Sequence, residues 1–158
     1  MAIGRALLAR ESLDAAEGFL RGAPASGGFH FALTHRRDRR ILSVEFGGGE
    51  TSIIEVTAPA LHANHALHHR GGLAAQIVTR SSGDRQARGD ALVATGREPF
   101  AILRDTGGPG LPIRRDAPDD PDHENTLATA LFRVEDRGVE WRIHDDADGP
   151  AAYAGTTA

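Results

Sequence analysis

Residues 29–56 read FHFALTHRRDRRILSVEFGGGETSIIEV, and the spacing of their apolar side chains decides the fold class. Phe29, Phe31 and Leu33 alternate with His30, Ala32 and Thr34. That period of two belongs to extended chain with one face inward. A polar turn at Arg36–Arg39 leads to a second alternating set, Leu42, Val44 and Phe46. Gly47–Gly49 turns the chain again into Ser52–Val56, β-branched and apolar, and Pro59 ends the run. The stretch predicts a three-stranded antiparallel meander.

Toward the start, the period changes. Ile3–Ala9 reads as a short helix, and Ser12 is suited to cap a second one in which Leu13, Ala16, Phe19 and Leu20 recur at helical spacing. Gly22 and Pro24 stop it, and Ala25–Gly28 is a small-residue loop. Beyond the meander, His62–His69 is a histidine-rich loop. Ser81–Thr95 is helical with Ser81 and Asp84 as a capping box, and Pro99–Arg104 is a shorter helix. Thr106–Asn125, rich in Gly, Pro and Asp, reads as a long loop. Leu127–Val134 and Val139–His144 form a hairpin around Glu135–Gly138. Strands and helices come in separate runs, so the class is α+β with antiparallel sheet. Length suits one domain with one core, over residues 1–144, followed by a polar tail over 145–158, poorly ordered apart from Tyr153.

Composition narrows the chemistry. Forty per cent hydrophobic and 25% charged residues describe a soluble globular chain rather than a disordered one. The apolar runs are short and no secretory leader is evident, so membrane partners are not expected and the cytoplasm is the expected location. A formal charge of −4 gives no general attraction to nucleic acid. No Cys is present, which excludes thiolate nucleophiles, thiolate–metal sites and disulfides within these residues. No Lys is present either; all 18 basic residues are Arg, which excludes Schiff-base chemistry and a phosphate-binding lysine loop.

Three constellations remain. In His62-Ala63-Asn64-His65 and the following His68 and His69, four of the eight histidines fall close together. Imidazoles suit a metal, but carboxylate ligands would have to come from distant positions such as Asp119, Asp120 or Asp122, so no metal site is expected. A loop whose histidines satisfy backbone groups is the plainer reading. In a third reading, the Asn64 amide donates to a developing oxyanion. Second, Arg114-Arg115-Asp116 reads as a self-paired surface loop, or as a guanidinium that holds a substrate carboxylate or stabilises charge at a reacting centre. Third, Ser81-Ser82-Gly83-Asp84-Arg85-Gln86-Ala87-Arg88 is sufficiently explained as a helix start. No G-x-S-x-G elbow exists.

Taken in order, His62-Ala63-Asn64-His65, Ser81–Arg88, Ile113-Arg114-Arg115-Asp116-Ala117-Pro118 and Thr126-Leu127-Ala128-Thr129 resemble one family. It is the acyl-coenzyme A:isopenicillin N acyltransferase-like family of N-terminal-nucleophile (Ntn) hydrolases. Its members show a His-Thr-Asn-His loop, a Ser-Ser-x-x-Arg-x-x-Arg helix start, an Ile-Cys-Arg-His-Pro loop and a Thr-Leu-Ala-Ser strand start. The likeness runs to about Trp141. It implies an αββα sandwich with antiparallel sheets. It also implies cleavage or transfer of acyl groups at linear amides by a Cys freed through self-cleavage, whose α-amine is the base. Asn64 then matches the oxyanion donor and Arg115 the charge near the catalytic centre, with no cofactor.

The departures define the expectation. The nucleophilic Cys has no counterpart, Ala63 replaces Thr, Arg114-Arg115-Asp116 replaces Cys-Arg-His, and His30 stands where an Asn is common. The resemblance implies a carboxyl-terminal portion that is inactive alone, whether truncated, split from a partner chain carrying the nucleophile, or degenerate. Its substrate would be a small-molecule amide or acyl compound once an upstream segment completes it. Exposed sheet edges would favour self-association or that partner chain. The alternative is a non-catalytic binding fragment that keeps the fold.

Overall fold

The computed structural model describes residues 2–24, 27–69, 76–116 and 124–157. It is α+β, with four helices and two three-stranded antiparallel sheets among those residues. The chain divides into two compact units, Met1–Ala58 with Asn64–Ile77, and Pro59–Ala63 with Val78–Ala158, where the sequence reading expected one core.

The first unit holds α1 (Ala2–Leu8), α2 (Leu13–Arg21), β1 (Phe29–His35), β2 (Asp38–Gly47) and β3 (Glu50–Glu55). Ser12 caps α2 as expected, its hydroxyl accepting from the Ala15 N–H at 3.1 Å. Leu13, Ala16 and Leu20 then share one buried face of that helix. The meander is present, with Phe29 opposite Phe46, Phe31 opposite Val44 and Leu33 opposite Leu42. Those cross-strand pairs put the alternating apolar set on one face. Leu42, Val44 and Phe46 there join Leu7, Leu13, Ala16 and Leu20 in a single apolar core. The β2–β3 turn runs through Gly48 and Gly49 at φ +60° and +83°, which glycine adopts without strain.

The second unit holds α3 (Arg80–Ala94), α4 (Pro99–Leu103), β4 (Thr129–Glu135), β5 (Gly138–His144) and β6 (Tyr153–Thr157). The expected hairpin is β4–β5, paired Thr129 to His144 through Glu135 to Gly138. Two details differ from expectation. The cap of α3 is Thr79, whose hydroxyl accepts from the Ser82 N–H at 3.2 Å, so Ser81 is not a capping residue. The polar tail over 145–158 also needs correction, since Tyr153–Thr157 pairs with β5 as a third strand. Small and polar residues there gave no alternation, yet the β5 edge supplies backbone partners that do not depend on side chains. No helix among the described residues is long and apolar enough to cross a membrane.

Candidate functional site

On the meander face opposite the apolar core, alternation predicts solvent-facing polar residues. Glu45 lies on that face and is 1% exposed. Its carboxylate accepts three consecutive backbone N–H groups, from Leu67 at 2.6 Å, His68 at 2.9 Å and His69 at 2.6 Å. Three N–H donors satisfy the buried carboxylate, and in return the loop is fixed to the sheet. The His68 ring lies between two β-strand hydroxyls, Nδ1 2.8 Å from Ser52 Oγ and Nε2 3.1 Å from Ser43 Oγ. Ser43 continues to His30 Nε2 at 3.0 Å, and Glu45 stands 3.6 Å from His68 Nδ1. Asn64 belongs to this unit, is exposed, and starts the segment that Glu45 anchors three residues further on. Ser43, Ser52 and Glu45 escaped the sequence reading, because nothing local in β2 or β3 shows that a loop some twenty residues later covers their face.

The second unit draws the other motif segments together. Arg115 is 5% exposed; its Nη1 donates to Ser81 Oγ at 2.9 Å and to Glu124 Oε2 at 3.2 Å. Its backbone is tied to the start of the next motif: the Thr126 N–H donates to the Arg115 carbonyl at 2.6 Å, and the Arg115 N–H donates to Thr126 Oγ1 at 3.1 Å. Ser81, Arg115 and Thr126, far apart in sequence, therefore meet. A surface loop of self-paired arginines, the plainer expectation for Arg114 and Arg115, is not what forms, since both guanidiniums are buried. Arg114 keeps a long contact of 3.5 Å to Asp116, and its Nη1 is buried without a partner among the described residues.

Gln86 links the helix to the first motif. Its amide oxygen accepts from the Ala63 N–H at 2.8 Å, and its Nε2 donates to the Leu61 carbonyl at 3.0 Å and to Asp90 Oδ1 at 2.9 Å. A Cβ at Gly89 would overlap the Leu61 side chain, so the glycine lets this segment lie against α3.

The histidine cluster is divided. His62, whose Nδ1–H donates to the Ala63 carbonyl at 2.7 Å, belongs to the second unit, and His65, His68 and His69 belong to the first. Among the described residues no three His, Asp or Glu side chains gather as a metal-holding group. Asp119, Asp120 and Asp122, named as distant ligands, lie outside the described residues. Near α4, Arg88 pairs with Asp105 through two contacts of 2.8 Å, and this holds the Asp105 carboxyl below the usual carboxylate range.

No curated protein and no solved structure matches this chain. A family model does: acyl-coenzyme A:6-aminopenicillanic acid acyl-transferase, over residues 1–148. That span takes in all four motif segments, the meander and the hairpin. The chain belongs to the acyl-coenzyme A:6-aminopenicillanic acid acyl-transferase family.

Proposed function

We propose that this chain takes part in hydrolysis or transfer of acyl groups at linear amide bonds of small molecules, as an Ntn-type enzyme whose nucleophile comes from outside these 158 residues. The observation that carries the reading is the meeting of Ser81, Arg115 and Thr126, which makes three scattered family motifs one packed unit. Asn64 is the oxyanion donor in this reading, on a loop fixed by Glu45. Arg115 stabilises charge, held in one rotamer by Ser81 and Glu124. Preorganised donors of this kind do most when they need not reorient as charge develops. The residues given hold no Cys, so the thiolate step belongs to another segment or a partner chain.

The test mixes the chain with the segment encoded immediately upstream and assays a panel of acyl amides with amine acceptors. Turnover on mixing is expected. Asn64→Ala is expected to lower it by about 10²–10³-fold, the usual cost of one oxyanion donor. Turnover insensitive to both Asn64→Ala and Arg115→Met refutes the roles given to them. No turnover under any condition favours a non-catalytic family member, for which the absence of Cys is the supporting fact.

A further inference from the structure

The second unit contains a cleft of about 640 Å3 between the Pro59–His62 segment, the end of α3 and α4. That volume lies within the roughly 300–1,000 Å3 of small-molecule sites and is too small for a docked helix. Its lining is largely apolar and includes Leu61, Val93, Ile102 and Leu103. Three ionisable side chains, His62, Arg97 and Glu98, also line it.

The walls are fixed before any ligand arrives. Gln86 holds the Leu61 carbonyl and the Ala63 N–H, and Leu61 lies against Gly89. At the other end, Gly96 at φ +71° turns the chain out of α3, and the Arg97 N–H donates to the Leu92 carbonyl at 3.2 Å. Ordering costs that would weaken a ligand are thus met by the fold.

The charges at the cleft are unequal in their commitments. The Glu98 carboxylate caps α4 by accepting from the Ala101 N–H at 3.0 Å. The Arg97 guanidinium makes no hydrogen bond or salt bridge among the described residues, although it lies close enough to Asp105 to help lower that carboxyl. The Arg97 N–H groups are therefore the charged donors still open at the cleft, whereas Glu98 already accepts from the Ala101 N–H. A carboxylate head with an apolar tail satisfies both features, through charge-assisted bonds from Arg97 and burial of the tail against Val93 and Ile102.

We infer that this cleft is a binding site for a small carboxylate with an apolar tail, the head at Arg97 and the tail among Leu61, Val93, Ile102 and Leu103. The inference stands apart from the acyl-transfer reading, because binding is measured directly and needs no nucleophile.

Calorimetric titration of the whole chain with octanoate tests it, with acetate, octylamine and octanol as comparators. Saturable one-to-one binding of octanoate is expected, with acetate and octylamine at least tenfold weaker. Arg97→Gln is expected to weaken octanoate about tenfold, the loss of one charge-assisted contact, and to leave octanol unchanged. Val93→Trp, which fills the cleft, is expected to abolish binding of both, with thermal unfolding recorded to confirm a folded variant. Should that variant not fold, Arg97→Gln decides alone, since Arg97 is exposed. No saturable octanoate binding, equal binding of octylamine, or octanoate binding unchanged in Arg97→Gln would each overturn the assignment.

Discussion

The two units bury different things. The first closes an apolar core from two helices and a meander, and its buried polar side chains among the described residues are Ser43, Glu45 and His69. The second buries Leu92 and Ile102 but also Ser81, Gln86, Arg114, Arg115, Thr129 and His144. Apolar burial is tolerant of partners, whereas most buried polar groups take specific ones. The difference teaches that the first unit is specified by hydrophobic pattern and the second by a small number of hydrogen bonds. Those hydrogen bonds are where the family motifs lie.

The largest expected effect comes from the one place where the first unit behaves like the second. Glu45→Ala strips three backbone N–H groups of their acceptor, that of His69 buried and those of Leu67 and His68 partly so, at about 1–3 kcal/mol for each donor left unsatisfied. Denaturant unfolding is expected to show a loss of about 4 kcal/mol, with hydrogen exchange fastest at Leu67, His68 and His69. A loss below about 1 kcal/mol would mean that the loop is not held by this carboxylate. Leu20→Ala, in the apolar core at 0% exposure, is expected to cost about 3 kcal/mol without freeing the loop.

Smaller effects sharpen the second half of the comparison. Thr79→Ala is expected to cost about 1 kcal/mol as a lost helix cap. Ser81→Ala should leave the start of α3 intact and instead loosen Arg115, visible as faster exchange at the Thr126 amide. The reverse pattern would restore Ser81 as the cap. The Arg88–Asp105 pair gives the smallest effect, read through pH. Arg88 lowers the Asp105 carboxyl in the folded state, so its stabilisation is present above the ordinary value of 3.8 and is lost as pH falls through the lowered one. Arg88→Gln is therefore expected to be less stable than the parent at pH 7, with the gap closing as pH falls below 3.8. A gap independent of pH would assign Arg88 a packing role.

Much of this was legible in the sequence, for identifiable reasons. The meander was readable because Phe29, Phe31 and Leu33 carry a period of two that the register with Leu42, Val44 and Phe46 repeats. The β4–β5 hairpin was readable for the same reason. β6 was not, because Tyr153–Thr157 carries no apolar alternation. Thr79 was overlooked as a cap because Ser81 and Asp84 satisfy the spacing rule two residues later, while Asp84 instead accepts from the Leu111 N–H at 2.8 Å. Asn64 and Arg115 are named as candidate site residues only through the resemblance of ordered motifs. Glu45, Ser43 and Gln86 were not legible, because the contacts that tie them to the His62–His69 segment and to Leu61 span more than twenty residues, and long-range polar pairing leaves no local trace.

The central claim is that these residues supply the framework and charge stabilisation for acyl transfer but not its nucleophile. The most direct measurement is turnover of an acyl-amide panel by the purified 158-residue chain alone, followed by mass spectrometry for a covalent acyl adduct. The account predicts no turnover and no adduct. Sustained turnover, or a stable acyl group on any residue of the chain, would contradict it.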